Sequence, residues 1–166
     1  SALGIPLYLD TLGTVLSAAI LGPLPGIIVG ALSNIITGLI YSVSDIPFCL
    51  VNMAVGLIVG LVAHKVAKIN ESTDKKYVFK WSVIASIAGL AFNVIADPIV
   101  GYFYKQYILG QPQELAQALA KMSAVATLFN AVVSVILVAV IYNAVRPVLI
   151  KSHLLTITGK KKEQAA

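Results

Sequence analysis

The chain has 166 residues, of which 58% are hydrophobic and only 11% charged, whereas a soluble domain carries about 25% charged residues. Composition therefore excludes a soluble domain, the single Cys49 excludes an internal disulfide, and the net charge of +5 leaves no nucleic-acid footprint. The apolar runs are too long and continuous for the short alternating strands of an outer-membrane barrel; the expectation is an all-α transmembrane helical bundle, one integral membrane domain over 1–166.

The first apolar run extends from Ile5 to Leu21 and predicts a helix over about 8–21, interrupted by Asp10, Thr11, Thr14 and Ser17. Gly22-Pro23-Leu24-Pro25-Gly26 reads as a tight turn, because paired prolines and glycines do not continue a helix. A second helix is predicted over 26–43. A short loop, Ser42 to Pro47, follows, in which Ser44 or Asp45 can cap the third helix, 46–67. Lys68 to Lys76 is a polar, charged loop. The fourth helix, 77–104, has 28 residues and would span about 42 Å. That exceeds a hydrocarbon core of about 30 Å, so it must tilt, kink or protrude, and Pro98 marks the expected kink. Lys105 to Gln113 reads as a loop and Glu114 to Lys121 as a short amphipathic helix. The fifth helix, 122–147, is expected to break near Arg146-Pro147. A basic tail runs to Ala166.

Lysine and arginine set the expected orientation, since they are retained on the cytoplasmic side. The loop after the third helix carries Lys65, Lys68, Lys75, Lys76 and Lys80, and the C-terminal end carries Arg146, Lys151, Lys160, Lys161 and Lys162. The opposite side has only Lys105 and Lys121. This places the C-terminus in the cytoplasm and Ser1 outside the cell membrane. An outside start without a signal peptide predicts a sixth helix, upstream of Ser1.

Each helix carries one stripe of small or polar residues at helical spacing. Asp10, Thr14 and Ser17 fall at i, i+4, i+7, as do Gly30, Asn34, Thr37 and Tyr41 with one added step. The others are Asn52-Gly56-Gly60, Ser86-Gly89-Asn93-Asp97 and Ser123-Thr127-Asn130-Ser134. The strongest polar groups lie at or outside the midplane. That pattern predicts one outward-facing polar cavity, built by Asp10, Asn34, Tyr41, Asn52, Asn93, Asp97 and Asn130. Asp97 carries the argument, because a carboxylate at membrane depth is costly and faces a cavity, partner or substrate. For each asparagine the alternative is a hydrogen bond to a neighbouring helix; for Asp10 it is a helix N-cap. Tyr8, Tyr41, Trp81, Tyr102 and Tyr104 also fit an interfacial aromatic belt. His64 and His153 read as inner-surface residues. No catalytic constellation, nucleotide loop, cofactor site or metal-ligand spacing is present in the pattern.

The segments Leu7-Tyr-Leu-Asp10-Thr-Leu-Gly-Thr, Leu21-Gly-Pro-Leu-Pro-Gly-Ile-Ile-Val-Gly-Ala-Leu-Ser-Asn34 and Pro47-Phe-Cys-Leu-Val-Asn52 resemble the substrate-binding S component of energy-coupling factor (ECF) transporters, in the riboflavin-type group. The resemblance covers about Ile5 to Pro147. It implies a six-helix fold that captures a B-type vitamin or precursor in its outer half. It further implies association with a coupling module of one transmembrane subunit and two ATPases, and toppling in the membrane to release the cargo. Gly22, Gly26 and Gly30 are then candidates for a packing seam with the coupling subunit. With nothing basic expected in the cavity, a small neutral or weakly basic heteroaromatic is favoured, hydroxymethylpyrimidine or pyridoxine, and riboflavin also fits. Two other classes stand beside this reading: a membrane sensor module, which needs a signalling domain, and a stand-alone transporter, which needs repeats or polar groups along its whole depth.

Overall fold

A computed structural model describes residues 9–152 of the chain, with side chains from residue 11 onward. Among these residues every regular element is helical. The order is α1 (Leu9–Leu21), α2 (Pro23–Ile40), a 3-10 segment (Val43–Phe48), α3 (Cys49–Gly60), α4 (Lys75–Phe103) and α5 (Gln113–Lys151). Helix α3 continues into a π-helical turn, Leu61–Val66, and α4 into another, Tyr104–Ile108. Four stretches are long and apolar enough to cross a membrane: Pro23–Ile40, Val43–Val66, Lys75–Ile108 and Gln113–Lys151. Helix α1 is shorter, with 13 described residues. The expected fourth and fifth helices are present but longer than the sequence pattern indicates.

The turn expected over Gly22 to Gly26 contracts to one residue. Gly22 adopts φ 108°, a left-handed conformation that a side chain disfavours, and α2 starts at Pro23. Both prolines then sit in the first turn, where missing N–H groups remove no helical hydrogen bond. The loop expected over 105–113 shrinks to 109–112, because the π turn extends α4 and the amphipathic segment 114–121 is continuous with α5. No break occurs at Arg146-Pro147; α5 runs on to Lys151. Helix α4 likewise remains helical through Pro98. Continuation costs only the one helical hydrogen bond that each proline cannot donate and keeps the rest of the backbone paired, as a bilayer demands.

Both π turns end alike. Lys68 (φ 48°) and Gly110 (φ 64°) take left-handed backbone. Ile69 N–H then reaches back to the Ala63 carbonyl and Gln111 N–H to the Lys105 carbonyl, each at 3.0 Å. These are helix C-caps that satisfy otherwise orphaned carbonyls.

Packing pairs α2 with α3 and α4 with α5 most extensively, while α1 lies against α2, α3 and α5. The α2–α3 pair meets almost backbone to backbone. A Cβ on Gly26 would come within 2.5 Å of Ala18 Cβ, one on Gly30 within 2.5 Å of the Asn52 carbonyl oxygen, and one on Gly56 within 2.4 Å of Gly26 backbone. Gly26 and Gly30 are thus buried inside the chain, packed against α1 and α3. Gly22 is buried as well, beside the His64 ring.

The apolar core gathers Val15, Val55, Val59, Val78, Val138 and Tyr142 from four helices. At the end of the bundle that holds the α3–α4 loop, polar ties replace it. His64 Nε2 lies 3.0 Å from the Ala19 carbonyl and its Nδ1 3.1 Å from Asn70 Nδ2, so His64 joins α1 to the loop. Arg146, 7% exposed, donates from Nη2 to the carbonyls of Ile69 (3.1 Å) and Ser72 (2.7 Å). It pins the loop to α5.

Candidate functional site

The polar stripes of α2, α3, α4 and α5 converge on one cavity of about 300 Å³, to which the 3-10 segment also contributes; from α1 the lining residue is Thr11, not Thr14 or Ser17 of the expected stripe. Asn34, Asn52, Asn93, Asp97 and Asn130, five of the residues expected from the sequence, all line it. The four asparagines are each at least 93% buried, and they reach the cavity because each stripe repeats at three or four residues and so stays on one helix face.

The first wall is an amide relay across four elements. Thr11 Oγ1 on α1 donates to Asn52 Oδ1 on α3 at 3.4 Å. Asn52 Nδ2 donates to Asn34 Oδ1 on α2. Asn34 Nδ2 in turn donates to the Asp45 carbonyl, in the 3-10 segment, at 3.4 Å. The close α2–α3 approach at Gly30 is what brings Asn34 and Asn52 within reach.

The opposite wall centres on Asp97 of α4. Its Oδ2 accepts hydrogen bonds from Ser123 Oγ (2.7 Å) and Thr127 Oγ1 (3.0 Å), both on α5. They tie α4 to α5 at cavity depth and keep the carboxylate oriented. Asn93 lies one turn away on the same face, and Asn130 and Ser134 continue the α5 side. Phe48, Val51, Leu90 and Ala131 supply apolar surface between the walls.

Two expected residues stand apart. Tyr41 is 82% exposed and does not line the cavity. It shares helical phase with Asn34, but α2 ends at Ile40 and the chain turns away before that phase applies. Asp10 is the second residue of α1, and its side chain lies outside the described residues; so do Tyr8, His153 and Lys160 to Lys162.

The main surprise is Lys105. It lines the cavity together with Tyr104, so the expectation of a cavity without a basic group is corrected. The signal was present: Asn93, Asp97, Gly101 and Lys105 repeat every four residues. The stripe was cut short because the helix was expected to end at Tyr104, whereas the π turn carries it to Ile108. Extra residues of this kind in a helix recur at functional sites. Ser44 and Asp45, expected in a loop with a helix cap, and Phe48, expected in the third helix, also form part of the lining.

The cavity therefore offers amide donors and acceptors, hydroxyls, two carboxylates and one ammonium around apolar patches. That is a binding inventory: polar groups placed to orient a small polar molecule within a mostly apolar pocket. No group of three or more potential metal ligands occurs among the described residues.

Residues 4–147 match the family of ECF-type riboflavin transporter S components. Searches of curated proteins and of solved structures returned no match. The family match spans nearly the whole bundle and includes every described residue that lines the cavity. By that match the chain, a multi-pass helical membrane protein, belongs to the ECF-type riboflavin transporter S component family, the membrane-embedded substrate-binding subunits of ECF transporters.

Proposed function

We propose that this chain captures riboflavin on the outer side of the cell membrane and presents it to an ECF coupling module for import. The observation that carries the ligand assignment is the cavity of about 300 Å³ with its carboxamide-rich lining. Pockets of roughly 300–1,000 Å³ enclose ligands of about that size. Hydroxymethylpyrimidine or pyridoxine would leave much of the space unfilled. Those two were favoured on the absence of a basic group, and Lys105 removes that ground. Riboflavin has a planar ring system with a carbonyl and N–H edge, which asparagine amides match in pairs. Its hydroxylated tail suits Asp97, Ser123 and Thr127, while Phe48, Val51 and Leu90 suit the ring faces.

The outward direction rests on charge. Ten of the twelve basic residues belong to the α3–α4 connection and the C-terminal end, and the remaining two, Lys105 and Lys121, to the other end. The positive-inside rule then puts the C-terminus in the cytoplasm and the cavity mouth outside. Energy for import would come from two ATPase subunits, coupled through a transmembrane subunit.

Mass spectrometry of small molecules released from purified protein tests the assignment. Riboflavin at near-equimolar amounts is the expected result; release of a pyrimidine or pyridine vitamin in its place would refute it.

A further inference from the structure

We propose that Asn34 is a positioning residue: through the Thr11–Asn52–Asn34 relay it tethers the 3-10 segment Val43–Phe48 as a roof over the cavity. The inference rests on the binding role proposed above, but its first readout needs no ligand. Three observations carry it. Ser44, Asp45 and Phe48 line the cavity, so this segment is part of its wall. Its link to α2 is only Tyr41 and Ser42, and no residue within Val43–Phe48 is fully buried, so no core side chain anchors it. A side-chain hydrogen bond reaches its backbone from the cavity: Asn34 Nδ2 donates to the Asp45 carbonyl.

The relay has a direction. Thr11 donates to Asn52, Asn52 donates to Asn34, and Asn34 donates to the roof. Each amide uses its oxygen towards the bundle and its nitrogen towards the mouth, so the orientation of Asn34 is set from behind by Asn52. A network satisfied in this way rigidifies what it holds. Nearby, Gly38 lets Ile46 approach α2 closely; a Cβ there would lie 2.5 Å from Ile46 Cγ1. That contact seats the roof, and Asn34 holds it down.

A roof tether and a simple ligand contact predict different kinetics. Loosening a roof speeds both entry and escape, whereas deleting a ligand contact speeds escape alone. The variant is Asn34→Leu, neutral and similar in size. In the ligand-free protein, hydrogen exchange over residues 42–49 should quicken about tenfold, as expected for loss of a network worth about 1.4 kcal/mol. Exchange in α4 and α5 should stay as in the wild type. Stopped-flow binding with riboflavin as the probe should show both association and dissociation accelerated several-fold. If Asn34→Leu does not fold, Thr11→Val loosens the far end of the relay and should give the same changes at about twofold. Unchanged exchange over 42–49, or a faster dissociation with unaltered association, overturns the tether. A wild-type protein that fails to bind riboflavin would refute the ligand assignment, and the exchange measurement would still decide the tether.

Discussion

Replacing Gly56 by alanine should separate α2 from α3 and damage the site at a distance. The new Cβ would lie 2.4 Å from both the carbonyl carbon and oxygen of Gly26 and 2.9 Å from the Ile27 nitrogen. All three are backbone atoms, so no rotamer change relieves the clash. Ordinary carbon contacts begin near 3.5 Å, so the helices must part by about 1 Å. Overpacking of this kind costs about 1–3 kcal/mol. The same movement lengthens the Asn52–Asn34 hydrogen bond one turn away, adding about 0.5–1.5 kcal/mol. The expected loss is about 1.5–4.5 kcal/mol of stability, with weaker ligand binding because the relay is broken. Gly13→Ala is the control: nothing lies within 4 Å of its Cβ position, and alanine favours a helix over glycine by up to about 1 kcal/mol. Unfolding in detergent micelles followed by circular dichroism reads both. If Gly56→Ala is as stable as the wild type, or if Gly13→Ala is the more damaging of the two, the close-packed seam is not what holds α2 and α3 in register.

Three further outcomes follow from named contacts. Asp97→Ala leaves the Ser123 and Thr127 hydroxyls without their acceptor and should weaken riboflavin binding about 10- to 100-fold, measured by calorimetry, as expected for loss of bonds to a charged group. Lys105→Met should weaken binding several-fold, whereas Tyr41→Ala, at an 82% exposed position outside the cavity, should leave affinity unchanged; equal effects at the two positions would contradict the lining described. Arg146→Met strands the buried Ile69 carbonyl and should cost about 2–3 kcal/mol, with limited proteolysis appearing within residues 68–74.

Much of this was legible because helical phase and membrane depth are simple constraints. A polar residue inside a long apolar run must face something polar, and Asn34, Asn52, Asn93, Asp97 and Asn130 all do. What was not legible lay at helix ends, where phase stops being a guide. Tyr41 shares the phase of Asn34 but falls one residue past the end of α2. Lys105 falls one residue past the expected end of α4 and is carried into the cavity by a π turn, a feature no short pattern announces. Asp45 and Phe48 reach the cavity through a 3-10 segment whose position is set by α2 and α3 together. Glycine spacing on α2 marks a close-packing face, and within the chain Gly56 of α3 packs against it.

What fills the cavity decides the protein's function, and an equilibrium titration of the purified protein with riboflavin tests it most directly. Saturable quenching of flavin fluorescence at one ligand per chain, not displaced by equimolar hydroxymethylpyrimidine or pyridoxine, is the predicted result. A folded protein that leaves flavin fluorescence unchanged, or that yields its flavin to either smaller vitamin, would contradict it.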